Sequence, residues 1–169
     1  MKKITIHDII QFKKNGKKFA TITSYDFTTT QIIEQAEIPL ILVGDSASMM
    51  VYGYETTLPV SMEEMLFVVR AVTRASQVAL VVADMPFLSY QSSVSEAVKN
   101  AGLLIKNGGA GAVKLEGGTQ IKKHIKEIVG FGVPVMGHVG LTPQSVHQMS
   151  GYKIQGKTSK DAQKIIDDA

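Results

Sequence analysis

The chain has 169 residues, of which 44% are hydrophobic and 20% are charged, and these proportions are ordinary for a globular protein. It contains no cysteine and has a net charge of +3, which excludes disulfides, thiolate metal ligands and a cysteine nucleophile and suits a reducing compartment. His7 and Asp8 interrupt the apolar stretch that a secretory signal would need, and no uncharged apolar stretch approaches the roughly 18 residues of a membrane helix. We therefore expect a soluble cytoplasmic protein that forms one domain or part of one, with no membrane partner.

The densest basic cluster is the segment KKNGKK at residues 13–18. A nucleic-acid site normally needs a broader basic face with aromatic or polar residues beside it. We therefore interpret this cluster as a solvated turn and expect no nucleic-acid partner. The mild positive charge of the chain would also suit anionic small molecules.

Five apolar runs rich in β-branched residues predict strands. Most are continuous runs instead of polar–apolar alternations, which is typical of strands buried on both faces. The predicted strands cover residues 19–26, 38–45, 77–84, 110–116 and 133–139.

Segments with helical periodicity separate the later strands. Residues 61–76 open with Ser61 and Glu64, which is the pattern of a capping box. Further helices are predicted over residues 93–107, between Thr119 and Gly130, and in the final segment SKDAQKIIDDA. Alternating strands and helices indicate a parallel α/β sheet.

Two architectures fit this alternation. A closed (β/α)₈ TIM barrel uses eight such units over roughly 250 residues, whereas this chain supplies about five and then stops. An open doubly wound sheet of five strands is the competing architecture, and periodicity alone does not separate the two. In either case the functional site is expected at the carboxyl ends of the strands.

Three acidic residues stand where a predicted strand stops: Asp45, Asp84 and Glu116. Taken singly, each would more often be a helix cap or a loop residue. Three carboxylates at one end of a parallel sheet would repel one another without a cation, and their hard oxygen ligands suit Mg²⁺ better than a metal that prefers soft ligands. We therefore predict that these three residues hold a divalent metal.

Lys114 and Glu116 lie two residues apart in a predicted strand, so their side chains point to the same face. Burying them together is costly unless they pair with each other or bind a ligand. A structural salt bridge therefore remains an alternative to a functional site.

His138 ends the fifth predicted strand at the same rim, although a histidine of this kind would more often be a satisfied core residue. We place the remaining histidines on amphipathic helices (His7 and His124) and in a loop (His147).

A long segment, SASMMVYGYETTLP at residues 46–59, follows the second strand. Loops of this length are often active-site covers, and its methionines and tyrosines, Met49, Met50, Tyr52 and Tyr54, would suit an organic ligand. A surface excursion packed by its own aromatic residues is the alternative interpretation.

The segment GYKIQGKT at residues 151–158 satisfies the literal G-x-x-x-x-G-K-[ST] phosphate-loop pattern. A phosphate loop needs an apolar strand immediately before its first glycine, and here the preceding residues are QSVHQMS. We therefore keep a nucleotide-binding module only as an alternative interpretation of the chain. A non-catalytic fragment is a second alternative.

Four motifs occur in a specific order along the chain: GDS at residues 44–46, AD-x-PF at 83–87, VK-x-EGG at 113–118 and GH-x-GLTPQS at 137–145. In this combination the chain resembles the ketopantoate (3-methyl-2-oxobutanoate) hydroxymethyltransferase family from about residue 3 to its end. The resemblance implies a (β/α)₈ barrel, of which residues 1–169 would be the N-terminal part of a single domain without its C-terminal strands.

The resemblance also implies an activity and a site. The family transfers a hydroxymethyl group from 5,10-methylenetetrahydrofolate, a folate co-substrate, to 3-methyl-2-oxobutanoate, giving 2-dehydropantoate in pantothenate biosynthesis. It implies that Asp45, Asp84 and Glu116 hold Mg²⁺. It further implies a keto-acid contact set of Asp45, Ser46, Asp84, Lys114 and His138, in which Lys114 would act catalytically by stabilising the enolate.

In the family the proton acceptor is a glutamate at the end of the next strand, so the general base is expected beyond Ala169. Glu116 is a poor substitute, because a carboxylate committed to a metal is a weaker base. We therefore expect the isolated segment to have little or no turnover, and its open sheet edges to favour association. The resemblance also implies a homo-oligomer, with a decamer-type assembly in relatives.

Overall fold

The five strands form one parallel sheet in which they follow one another in chain order, from the first to the fifth. A computed structural model describes residues 2–169 of the chain. Each strand lies within one of the predicted runs but is shorter. The strands are β1 (Thr21–Thr23), β2 (Leu40–Val43), β3 (Leu80–Asp84), β4 (Ala112–Glu116) and β5 (Val135–His138).

Within residues 2–169, seven α-helices accompany the sheet: α1 (Ile6–Lys14), α2 (Phe27–Gln35), α3 (Ala47–Met50), α4 (Met62–Ala75), α5 (Val94–Lys106), α6 (Lys122–Gly130) and α7 (Ser159–Asp168). The capping box predicted for α4 is present, since Ser61 Oγ accepts from Glu64 N while a Glu64 carboxylate oxygen accepts from Ser61 N. Thr119 does not cap α6 with its side chain. It opens a 3₁₀ turn, Thr119–Ile121, that leads into that helix.

The two faces of the sheet pack against different partners. In β3, Val81 and Ala83 belong to the larger core cluster, between the sheet and the helices α4, α5 and α6. Leu80 and Val82 point to the opposite face and belong to a smaller cluster. Asp84 continues the alternation of Leu80 and Val82, because residues two apart in a strand share a face.

Helix α1 covers the amino-terminal end of this second face. Ile4, Ile6 and Ile9 pack against the smaller cluster, and Ile4 N donates to Val78 O at 2.7 Å. With α1 at one end, the carboxyl end of the same face is left for polar side chains. In a β/α barrel this face is the interior, and its carboxyl end is where active sites form.

The strand order decides between the two architectures. A doubly wound sheet reverses its strand order at a switch point, whereas this sheet runs β1 to β5 without a reversal. An uninterrupted sequential order is that of a β/α barrel, here with five strands. The fold is therefore α/β and of the barrel type, as the sequence motifs implied.

Two predicted strands end earlier in the structure than their sequence runs. The run at 19–26 was expected to continue to Asp26, but β1 stops at Thr23 and Asp26 is the N-cap of α2, where its carboxylate accepts from Thr29 N at 2.8 Å. The run at 38–45 also stops early, at Val43. Asp45 thus lies in the turn after β2, while Asp84 and Glu116 are the last residues of their strands.

The basic cluster and the phosphate-loop pattern lie in turns and at helix ends. Residues 13–18 are exposed at the end of α1 and in the turn after it, in agreement with the solvated turn. Gly151 follows turns and not a strand, since β5 ends at His138, and Thr158 is the N-cap of α7. In residues 2–169, moreover, no helix combines the length and apolar character needed to cross a membrane.

Candidate active site

Strand register brings the predicted site residues together at the carboxyl end of the sheet. Asp84 of β3 is the register partner of Lys114 in β4, and Glu116 of β4 is the partner of His138 in β5. Neighbouring residues in register point to the same face, and so do Lys114 and Glu116 within β4. The four side chains therefore stand in one group.

Lys114 is the buried cation of this group. Its Nζ lies 2.8 Å from Asp84 Oδ1 and 3.8 Å from Glu116 Oε1, and the residue is only 8% exposed. His138 is more accessible, and its Nδ1 lies 3.3 Å from Glu116 Oε1 and 3.5 Å from Lys114 Nζ. The structural salt bridge considered as an alternative was between Lys114 and Glu116. In the structure this is the longer of two contacts, and the shorter one is made with Asp84.

The turn after β2 brings Asp45 beside Asp84. Asp45 N donates to Asp84 Oδ2 at 3.0 Å, and both residues are buried. An added Cβ at Gly44 would lie 2.6 Å from Ser46 Oγ, so a larger residue there would displace the Ser46 hydroxyl. Ser46 Oγ in turn lies 2.7 Å from the hydroxyl of Tyr25, a residue that the sequence interpretation did not include.

Burial governs the electrostatics of the group. Burial and the charge of Asp84 raise the pKa of Asp45 to about 7. Burial also raises the pKa of Asp84, against the opposing effect of Lys114. Burial alone would lower the pKa of Lys114, but the carboxylates around it outweigh this effect and raise it. Lys114 therefore stays protonated, and its one positive charge faces three carboxyl groups.

Gln144 connects two of the predicted metal ligands and was not predicted from the sequence. It lies in the loop after β5, in a 3₁₀ turn (Pro143–Ser145), and is 6% exposed. Its side-chain Nε2 donates to Asp45 Oδ2 at 2.8 Å, and its backbone N–H donates to Glu116 Oε2 at 2.9 Å. The only sequence feature that could have indicated a role for Gln144 is its position inside the GLTPQS motif. A single neutral residue in a turn belongs to no periodic pattern from which its contacts could be predicted.

The three predicted metal ligands do not form a closed metal-binding set in this structure. Within residues 2–169, no group of three or more His, Asp or Glu side chains is arranged to hold an ion. Lys114 stands beside Asp84, and Gln144 takes one oxygen each of Asp45 and Glu116. The assignment of these residues to a metal therefore stays a prediction.

Part of the segment after β2 packs onto the fold. Its first residues form α3, and the Tyr52 hydroxyl donates to Glu64 O in α4 at 3.1 Å. The Tyr52 and Tyr54 rings are 6.5 Å apart, which agrees with a segment packed by its own aromatic residues. Met50 is exposed and remains available to a ligand.

The other histidines are placed as expected: His7 in α1, His124 in α6 and His147 in an irregular segment.

A cavity of about 410 Å³, lined in part by Ile4, Phe12 and Pro39, lies near α1. None of the predicted site residues lines it, and the chemistry-bearing side chains are at the opposite end of the sheet.

Comparison with solved structures supports the barrel-type fold. The chain superposes on phosphonopyruvate hydrolase, solved as a complex with oxalate and Mg²⁺, with a TM-score of 0.68 at 14% identity, covering 96% of this chain and 68% of that one. For 2,3-dimethylmalate lyase, a member of the PEP mutase/isocitrate lyase superfamily, the TM-score is 0.61 at 13% identity, covering 95% of this chain and 65% of that one. At such low identity these matches show the fold alone.

Comparison of sequences gives the family. A 3-methyl-2-oxobutanoate hydroxymethyltransferase of Carboxydothermus hydrogenoformans is 52% identical over 169 residues, covering 100% of this chain and 61% of the relative. The protein of the same name from Geobacter metallireducens is 52% identical over 168 residues, covering 99% of this chain and 63% of the relative. The chain thus spans about three fifths of the length of these curated relatives. The family model for ketopantoate hydroxymethyltransferase matches residues 3–169, and the chain therefore belongs to the ketopantoate hydroxymethyltransferase family.

Proposed function

We propose that this chain binds and activates 3-methyl-2-oxobutanoate for hydroxymethyl transfer from 5,10-methylenetetrahydrofolate, the reaction that yields 2-dehydropantoate in pantothenate biosynthesis. The observation that carries the proposal is the buried group of Asp45, Asp84, Lys114 and Glu116 at the carboxyl end of the sheet. A buried ionic group contributes little to stability by itself, and buried titratable groups with shifted pKa values are concentrated at functional sites. The name shared by the relatives supplies the keto acid as the substrate.

Mg²⁺ fits the donor chemistry of this group. Asp45, Asp84 and Glu116 offer hard oxygen ligands. Burial raises the pKa values of Asp45 and Asp84, and a bound cation would favour their charged forms. Asp84 Oδ1 is buried and ion-paired with Lys114 but has no well-directed hydrogen bond. We propose that these three residues would hold the ion. When bound, Mg²⁺ would act as a Lewis acid that withdraws electrons from the keto group and so acidifies the C3 proton.

Lys114 has the position and charge to stabilise an enolate. Its ammonium is held between Asp84 and Glu116, and its raised pKa keeps it charged. A fixed positive charge in a water-poor site stabilises developing negative charge better than a mobile one. We therefore propose that the ammonium group of Lys114 stabilises the negative charge on the enolate oxygen.

Ser46 and His138 complete the proposed contacts with the keto acid. The Ser46 hydroxyl is held by the Tyr25 hydroxyl and can donate to the substrate carboxylate. His138 lies at the accessible edge of the group, with 32% of its side chain exposed. The general base predicted beyond Ala169 and the homo-oligomer stay predictions.

Calorimetry with 3-methyl-2-oxobutanoate and Mg²⁺ tests the proposal. We expect binding that requires Mg²⁺ and that weakens by at least about 100-fold in Asp84→Asn, because even residues that only support metal ligands change affinity 10- to 100-fold. Asp167→Asn, an exposed position on α7, is the control and should leave binding unchanged. Equal binding with and without Mg²⁺, or in parent and Asp84→Asn, would contradict the proposed function.

A further inference from the structure

Gln144 has every hydrogen-bonding position of its side chain occupied. Its Nε2 donates to Asp45 Oδ2 at 2.8 Å and to Met85 O at 2.9 Å. Its Oε1 accepts from Gln91 Nε2 at 3.0 Å and contacts the Tyr90 hydroxyl at 2.8 Å. An amide has two donors and two acceptor sites, so Gln144 is fully satisfied although it is buried.

These partners fix the orientation of the amide. The Met85 carbonyl can only accept, so the NH₂ group must face it, and the same NH₂ group then faces Asp45. Burial raises the pKa of Tyr90, so its phenol stays protonated. Its single proton can be donated to Gln144 Oε1 at 2.8 Å or to Glu116 O at 3.0 Å. The Tyr90 hydroxyl also accepts from Glu116 N at 3.1 Å, which ties it to the end of β4.

Each of the three carboxylates has one oxygen held by an uncharged N–H group of the chain. Asp45 Oδ2 accepts from Gln144 Nε2, Glu116 Oε2 from Gln144 N, and Asp84 Oδ2 from Asp45 N. The second oxygens of Asp84 and Glu116 are those nearest Lys114. One oxygen of each carboxylate is thus fixed. In Asp84 and Glu116 the other oxygen faces the ammonium group of Lys114.

We propose that Gln144 is a positioning residue, which orients Asp45 through its side chain and Glu116 through its backbone so that the second oxygen of each carboxylate can take a divalent cation. The inference rests on the proposed function, because it assumes that these carboxylates bind a metal. A neutral amide suits this role, since it fixes a carboxylate without cancelling the charge that attracts the cation. An arginine or lysine here would fix the carboxylates and neutralise them as well.

The test compares Mn²⁺ binding to the 169-residue chain, by calorimetry and by the electron paramagnetic resonance spectrum of bound Mn²⁺. Gln144→Met removes the side-chain amide and keeps its length and the backbone N–H. We expect a 10- to 100-fold weaker affinity, the usual effect of losing a group that orients a metal ligand, together with a changed spectrum. Ser76→Ala is the control, because Ser76 is a buried hydrogen-bonding residue just before the amino-terminal end of β3. It should lower stability without changing affinity or spectrum.

Tyr90→Phe gives a second, independent variant. It removes the hydroxyl that contacts Gln144 Oε1, so we expect a several-fold weaker Mn²⁺ affinity. Tyr90 also contacts the backbone of Glu116 directly, so only the part of its effect that passes through Gln144 is shared between the two variants. Because of that shared part, the double variant should lose less than the product of the two single losses. A general loss of stability would produce no such coupling. If Gln144→Met does not fold, an unchanged affinity in Tyr90→Phe overturns the inference.

Asp84→Asn separates this inference from the proposed function. If the parent binds Mn²⁺, Asp84→Asn does not and Gln144→Met binds like the parent, the role of Gln144 is wrong and the metal site stands. If the parent and Asp84→Asn bind equally weakly, the metal site itself is wrong and the inference fails with it. Weakened binding in both variants supports both.

Discussion

Lys114 is the residue on which the stability of the buried carboxylates depends. Its ammonium lies 2.8 Å from Asp84 and is buried with it. Removing one partner of a buried ion pair leaves an uncompensated charge, which typically costs about 3–5 kcal/mol. We expect Lys114→Met to lower the free energy of unfolding by about this amount, as measured by urea denaturation at neutral pH.

Lys106→Met is the matched control, because Lys106 is exposed at the end of α5. Surface substitutions of this kind usually change stability by less than about 0.5 kcal/mol. Similar losses in the two variants would show that Lys114 does not compensate the carboxylates.

The sequence identifies the charged part of the site better than the neutral part. Asp84, Lys114 and Glu116 could be predicted, because charged side chains at the ends of apolar runs meet at one rim of a parallel sheet. Gln144 and Tyr25 could not, because their role depends on contacts between distant segments. Asp26 shows the limit of the strand-end argument, since it follows a strand-like run and is a helix cap.

Among the elements, helix α4 shows how a local signal fixes a boundary. The reciprocal hydrogen bonds of Ser61 and Glu64 begin the helix at the predicted residue. Loss of an N-cap side chain costs about 1 kcal/mol. We therefore expect Ser61→Ala to destabilise the chain by about this amount in thermal or urea denaturation.

The keto-acid and metal affinities of Ser61→Ala should not change, because the cap lies outside the buried group. Thr28→Ala serves as the control: Thr28 is exposed in the first turn of α2 and its side chain makes no cap contact. A destabilisation of equal size at Thr28 would show that the effect at Ser61 is not due to capping.

The elements that were predicted correctly are those with strong patterns. All five strands and the helices α4 to α7 follow from apolar runs, periodicity and caps. Helix α2 was missed, because its sequence FTTTQIIEQ contains three threonines and a short apolar stretch. It forms because Asp26 caps it and because Thr30 and Ile33 are buried, and the burial is a tertiary effect.

At the scale of the whole molecule, the sheet has an accessible edge at β1. Within residues 2–169, β1 pairs only with β2, and all three of its residues are exposed. Unpaired strand edges favour association with other chains, and a lysine on the edge opposes it. We expect the chain to self-associate, and Ile22→Lys to shift it toward smaller species in sedimentation velocity.

Ile166→Lys adds the same charge at an exposed apolar position on α7 and is expected to have a smaller effect. If both variants reduce association equally, net charge and not the β1 edge controls it.

The architecture itself could not be predicted from periodicity, because a barrel and an open sheet have the same alternation of strands and helices. Strand order distinguishes them.

The contact between Gln144 and Asp45 joins residues 99 positions apart, and this distance sets an order of events during translation. Gln144 is made 28 residues after Glu116, a delay on the order of seconds at about 5–20 residues per second. During that interval a nascent chain already contains Asp45, Asp84 and Glu116 but not the residue that contacts Asp45 and Glu116. Pairing of the strands does not require that residue, whereas the contacts that hold Asp45 and Glu116 are completed only when the loop after β5 has been synthesised.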